Sequence, residues 1–202
     1  MKNNLTRRDF LKNSSLVAAG LAALPAAPSL QAAASPNNRL RVAVIGCNGR
    51  GMAHIAALLE VPNVEIACVC DVDRRALEKG IAAAARKQST TPKGEKDLRK
   101  LLEDPGIDAV TIATPEHWQT PATLLACAAG KHVYVEKPAS HNGRESELIV
   151  AAARKHKRVV QMGNQRRSWP WVIESIQAVH AGEVGQVYFA RGWYTNRRPS
   201  IG

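Results

Sequence analysis

A doubly wound parallel α/β sheet is the fold class this sequence predicts, and three observations predict it. Short β-branched runs alternate with Ala-rich helical segments over most of the chain. The first run ends in a glycine cluster, Gly46-Cys47-Asn48-Gly49-Arg50-Gly51, that leads into helical composition. An acid, Asp71, closes the second run. This is the order of parts in a Rossmann-type sheet. A change of rhythm after Gly163 then marks a domain boundary.

Taken in order, Arg41-Val42-Ala43-Val44-Ile45 is β-branched and stops at Gly46, a strand signature. Residues 53–59 follow with helical composition, and residues 64–70 form a second apolar run closed by Asp71. Residues 73–87, rich in Ala, Lys and Arg, read as a helix, and residues 88–94 as a polar loop broken by Pro92 and Gly94. Residues 96–103 are helical, and 109–113 form a third strand ended by Thr114-Pro115. A helix over 122–129 is closed by Gly130, a residue suited to the left-handed position past a helix end. A fourth strand over 132–135, a helix over 145–156 and a fifth strand over 159–162 complete the alternation. Beyond Gly163, residues 171–180 read as a helix and 186–194 alternate as a strand would. The predicted organisation is a leader over 1–34, a linker over 35–39, the Rossmann-type domain over 40–163, and the start of an incomplete domain over 164–202.

Hydrophobic residues make up 45% of the 202, enough for a buried core, and aromatics are sparse at 4%. The formal net charge is +11, and it stays strongly positive without the leader's Lys2, Arg7, Arg8, Lys12 and Asp9. The excess is scattered over Arg74/Arg75, residues 154–158, Arg166/Arg167 and Arg197/Arg198, with no aromatic interleaving or helix-turn-helix pattern. That reads as a solvated basic surface and argues against specific nucleic-acid binding. Cys47, Cys68, Cys70 and Cys127 lack CxxC spacing and read as small buried hydrophobes. No His, Asp or Glu cluster has metal-ligand spacing, so no metal is expected.

The first residues carry an address. Thr6-Arg7-Arg8-Asp9-Phe10-Leu11-Lys12 precedes an apolar run over 16–24, then Pro25 and the small-residue stretch Gln31-Ala32-Ala33-Ala34. Basic region, short apolar region and cleavage site follow one another as in a signal peptide, and the paired arginines resemble the twin-arginine signal. The apolar run is too short to be a stable membrane anchor. The resemblance implies recognition by twin-arginine export machinery and a periplasmic or otherwise exported location. That route carries folded proteins, often with cofactors already bound.

The glycine cluster has a physical reading of its own. Amides at a helix N-terminus hold a pyrophosphate only where side chains stay clear, so glycines belong at the tight turn and at the closest helix–strand approach. Gly46 and Gly51 take the first and third positions of G-x-G-x-x-G, while Asn48 stands at the second, with Gly49 and Arg50 following it. Asn tolerates a left-handed backbone, which keeps the turn feasible. Asp71 can accept both ribose hydroxyls of an adenosine and so favours NAD. Arg74 and Arg75 leave NADP open.

Two further strings lie beyond the ends of strands: Thr114-Pro115-Glu116-His117-Trp118, and Gly130-Lys131-His132-Val133-Tyr134-Val135-Glu136-Lys137-Pro138. With the glycine loop, the Thr-Pro-x-His turn and Glu-Lys-Pro, the sequence resembles the Gfo/Idh/MocA oxidoreductases from about Leu40 to its last residue. The resemblance implies that Lys137 is the catalytic lysine, a partly desolvated group between nicotinamide and substrate that aids proton transfer. It implies that Glu136 contacts the cofactor ribose, and that Pro138 fixes the chain direction, often through a cis bond. Thr114, Pro115 and His117 would line the nicotinamide-ribose side, and Gln165 and Arg166 would reach the substrate. His54 and His141 read as structural or solvent-exposed, and Trp118 as packing.

The implied activity is NAD(P)-dependent oxidation of a sugar or cyclic polyol, carried here by an N-terminal fragment of a longer protein. The resemblance implies that residues 164–202 are the truncated start of the family's second, α+β substrate domain, whose acid–base histidine and homo-oligomer interface are expected beyond this chain. Two alternatives stay open. One is an NAD-dependent glycosidase that oxidises, eliminates, hydrates and reduces with no net redox. The other is a dinucleotide-binding module without catalysis.

Overall fold

The structure, a computed structural model, describes residues 39–195 and Arg197. The leader over 1–34 lies outside the described residues. The elements are β1 (Leu40–Ile45), α1 (Arg50–Leu58), β2 (Val64–Cys70), α2 (Arg74–Ala85), β3 (Lys93–Glu95), α3 (Leu98–Leu102), β4 (Ala109–Ile112), α4 (Glu116–Ala128), β5 (His132–Glu136), α5 (Gly143–His156) and β6 (Val160–Gly163). A 3₁₀ turn (Gln165–Ser168) and α6 (Pro170–His180) follow.

All strands are parallel, in the order β3-β2-β1-β4-β5-β6. Consecutive buried positions explain this. Val42, Ala43, Val44 and Ile45 are all buried, as are residues 66–70, so β1 and β2 must be covered on both faces. One core gathers Val44, Ile55, Ile66, Val69, Leu77 and Ala84 beneath α1 and α2. The other gathers Ile45, Val110, Ile112, Leu101, Ala122 and Val135 beneath α3 and α4. Each fully buried Ile or Val removes enough apolar surface to contribute about 1.5–3 kcal/mol. Strand order reverses between β1 and β4, the switch point at which sheets of this kind bind ligands in the crevice beyond the carboxyl ends of their strands.

Polar caps set the helix ends. Asp73 accepts from the Arg75 amide, Asp97 from that of Arg99 and Asn142 from that of Glu145. Gly130 closes α4 as expected: its φ is +77°, its amide donates to Cys127, and the Lys131 amide donates to Ala126. Those are the two bonds of a Schellman turn, and they aim the chain directly into β5.

Three elements differ from expectation. β3 straddles the end of the predicted polar loop over 88–94, where Lys93, Gly94 and Glu95 pair with Cys68, Val69 and Cys70. α4 starts at Glu116 rather than 122, and Pro121 sits inside it. A proline ring removes one helical hydrogen bond, and the helix absorbs that loss because Gln119, Thr120 and Ala122 are buried around it. Residues 186–194 form no strand. A strand exists by pairing, and the described residues offer this one no partner; Tyr188 is 95% exposed. The four cysteines are buried and free, as expected, with Cys68 and Cys70 sharing one core.

Candidate functional site

The β1–α1 loop is shaped by what its glycines must avoid. A Cβ on Gly51 would lie 1.7 Å from the Gly46 carbonyl oxygen, so only glycine lets the helix start against the strand end. A Cβ on Gly46, whose φ is +85°, would lie 2.9 Å from the Ala113 carbonyl. The left-handed position in the middle of the turn falls on Gly49, with φ +53°, and not on Asn48. Asn48 instead turns its side-chain oxygen to the Gly49 amide at 3.1 Å. α1 begins with no side-chain cap and no acid in its first turn. The Gly51 and Met52 amides donate to the Asn48 and Gly49 carbonyls at 3.3 and 3.2 Å, and the positive dipole end of α1 carries no side chain that would offset an anion.

Asp71 sits half-buried just past β2 and is tied to this loop. One carboxylate oxygen accepts from the Cys47 amide at 2.7 Å, the other from the Asp73 amide at 2.9 Å. Each oxygen keeps a lone pair for a further donor. Arg74 and Arg75 are exposed and occupied by carboxylates of their own segment, Glu78 at 2.7 Å and Asp73 at 3.4 Å.

Beyond β4, Thr114 is half-buried with a hydroxyl that lacks a hydrogen-bond partner, Pro115 precedes the first turn of α4, and His117 and Trp118 are exposed. At the end of β5 Glu136 is buried, Lys137 just past it is exposed, and the Lys137–Pro138 bond is cis, as the resemblance implied. Gln165 and Arg166 lie just past β6, whose Gly163 pairs with Glu136. Arg166 is exposed and stacks over Trp169, 5.6 Å from the ring centre.

Glu136 is the electrostatic hub. Its Oε1 accepts from Arg50 Nε at 2.7 Å and meets His54 Nε2 at 3.0 Å. Burial by itself raises this carboxyl; the bonds from Arg50 and His54 outweigh it and hold the group below its ordinary value. The Tyr134 ring meets His54 edge-on at 5.5 Å, and His54 Nδ1 is buried without a partner. Arg50 thus reaches from the glycine loop across β4 to the end of β5. His54 is structural, as expected, yet its part in the site was missed. Arg50 and His54 stand four apart on one helix face, the spacing that would have revealed it.

Gln119 was missed as well. It is buried, donates through Nε2 to the carbonyls of Thr114 (3.2 Å) and Lys137 (3.5 Å), and accepts at Oε1 from the Ala139 amide (2.8 Å). The neighbouring Thr120 hydroxyl donates to the Ala139 carbonyl at 3.0 Å.

Comparison with known proteins fits this arrangement. The chain is 32% identical to a Glycosyl hydrolase family 109 protein of Saccharopolyspora erythraea, over 95% of this chain and 46% of that protein. It is 31% identical to a scyllo-inositol 2-dehydrogenase (NAD(+)) of Bacillus subtilis, over 77% of this chain and 44% of that protein. The chain thus spans a little under half the length of these relatives. Among solved structures, an NAD binding oxidoreductase from Klebsiella pneumoniae superposes with a TM-score of 0.62 at 28% identity, covering 73% of this chain and 40% of that one. The family described as "Oxidoreductase family, NAD-binding Rossmann fold" matches residues 40–164. The chain belongs to that family, the Gfo/Idh/MocA oxidoreductases.

Proposed function

We propose that this chain is the dinucleotide-binding part of an exported NAD-dependent oxidoreductase acting on a secondary alcohol of a sugar or cyclic polyol. One observation carries the reading: the backbone cradle at Gly46 and Gly51, which any Cβ would fill, faces an uncapped helix N-terminus with Asp71 beside it. A dinucleotide fits that donor set, with loop amides for the pyrophosphate and a carboxylate for the adenosine ribose.

In this reading the backbone of the β1–α1 loop and the start of α1 hold the pyrophosphate, and Asp71 takes the ribose hydroxyls. A carboxylate at Asp71 suits ribose hydroxyls and would repel a 2′-phosphate, which favours NAD, while Arg74 and Arg75 close by leave NADP open. Thr114, Pro115, His117 and Glu136 line the nicotinamide-ribose end. When bound, the cofactor supplies a hydride acceptor for the alcohol carbon. Lys137 Nζ hydrogen-bonds the reacting hydroxyl oxygen and moves its proton, while Gln165 and Arg166 approach the substrate from the end of β6. The ordered basic, apolar and small-residue segments of the leader support export through twin-arginine machinery, and the full-length protein is expected to form a homo-oligomer.

A second reading is favoured by the relative named as a glycosyl hydrolase. An exported enzyme meets no free NAD pool, so a retained cofactor used for transient oxidation suits it chemically. Fluorescence titration with NADH tests the shared core of both readings, and saturable binding is expected. No binding, or equal loss of signal with any nucleotide, would reject it. Product analysis of the full-length protein then separates the two: net NADH formation from a polyol supports the dehydrogenase, sugar release without net NADH the glycosidase.

A further inference from the structure

Gln119 is the sole buried side chain among those described that ties the loop after β4 to the loop after β5. Its carboxamide has three hydrogen-bonding directions used, and each goes to backbone: Thr114 and Lys137 carbonyls and the Ala139 amide. The two loops it joins carry Thr114 and Lys137, the residues placed at the nicotinamide end of the proposed site. Ala139 has φ +67° and is held on its amide by Gln119 and on its carbonyl by Thr120. The backbone on either side of Pro138 is therefore fixed from α4, while the Lys137 side chain above it is exposed.

We propose that Gln119 is a positioning residue: it sets the distance between the Thr114 and Lys137 loops, and so shapes the nicotinamide half of the dinucleotide site. The adenosine half does not depend on it, because the glycine loop and Asp71 are held by separate bonds to β1 and β2. This inference rests on the dinucleotide reading above.

The test compares two ligands that share adenosine and differ in the whole nicotinamide riboside. NADH and ADP are titrated calorimetrically into the full chain and into Gln119→Met, Gln119→Glu and Cys127→Ala. Gln119→Met keeps the volume and removes every polar contact. Gln119→Glu keeps the bond from the Ala139 amide and turns an oxygen on the two carbonyls. Cys127, buried on the same helix but facing the core, controls for lost stability. For both Gln119 variants the NADH Kd is expected to rise about tenfold, about 1.4 kcal/mol. The ADP Kd should stay within about twofold, which is about 0.4 kcal/mol by the same conversion. Cys127→Ala is expected to lower the melting temperature without changing the ratio of the two constants. A ratio unchanged in every folded Gln119 variant, or changed as much by Cys127→Ala, would overturn the positioning role alone. Wild-type chain that binds neither ligand would remove the dinucleotide reading and this inference with it.

Discussion

Replacing Gly51 by alanine adds one methyl carbon at the most crowded point of the molecule. That carbon would stand 1.7 Å from the Gly46 oxygen and 2.8 Å from its carbonyl carbon, both backbone atoms at the end of a central strand. No rotamer relieves the contact, so either α1 backs away from β1 or the Gly46 turn reshapes. Overpacking a core costs typically about 1–3 kcal/mol, and a clash this deep with backbone belongs at or above the top of that range. For a domain of this size, about 3 kcal/mol lowers the melting temperature by roughly 6–12 °C. Gly49→Ala is the internal comparison. Its Cβ meets nothing within 4 Å, and only its backbone, at φ +53° and ψ −105°, opposes a side chain, a cost on the order of 1–3 kcal/mol. Thermal melts and NADH titration of both variants give the answer. Gly51→Ala should lose both stability and NADH binding, and Gly49→Ala should lose less of each. Equal melting temperatures for Gly51→Ala and the parent chain, with NADH binding intact, would refute the argument that this approach admits only glycine.

Other outcomes follow from the same geometry. The Glu136 carboxyl is held below its ordinary value in the folded chain, so its stabilising contribution is present above the unfolded carboxylate range and is lost as pH falls through the folded value. Urea unfolding between pH 7 and the acid limit should therefore show a steeper acid loss for the parent than for Glu136→Gln, and parallel curves would contradict this. Lys137→Ala should leave stability within about 0.5 kcal/mol, as for other exposed positions, while abolishing turnover in the full-length protein; retained turnover would exclude a catalytic lysine. Burial pushes the thiols of Cys47 and Cys70 up to about 12 and that of Cys68 to about 11. An aromatic disulfide reagent should then label the native chain slowly and the unfolded chain at once, and fast native labelling would show that these cysteines are accessible.

The core strands were legible because buried parallel strands are apolar without interruption, as in Val42-Ala43-Val44-Ile45. β3 was not, because Lys93-Gly94-Glu95 pairs through its backbone and its side chains carry no periodic signal. Pro121 concealed the first turns of α4, since proline inside a helix reads as its start. In the site, Gly46, Gly51 and Asp71 declared themselves by type and spacing. Asn48 misled, because a tolerant residue beside a glycine leaves open which of the two takes the left-handed turn, and the structure gives it to Gly49. His54 and Gln119 were hidden for a shared reason. A polar residue on a helix reads as solvated until the fold shows that its partner lies 82 residues away at Glu136, or 20 away at Ala139.

The bond from Arg50 to Glu136 spans 86 residues and joins a loop made early in the chain to a strand made late. Closing so long a segment is entropically costly until the intervening strands are in place. A half-built sheet thus holds half a crevice: one with only β1 and β2 has the glycine cradle and Asp71 but lacks the far wall. Ligand affinity becomes a proofreading signal for completed assembly. A dinucleotide that needs both walls binds the finished sheet far better than any partial one, and by mass action it shifts the population of chains toward that finished state.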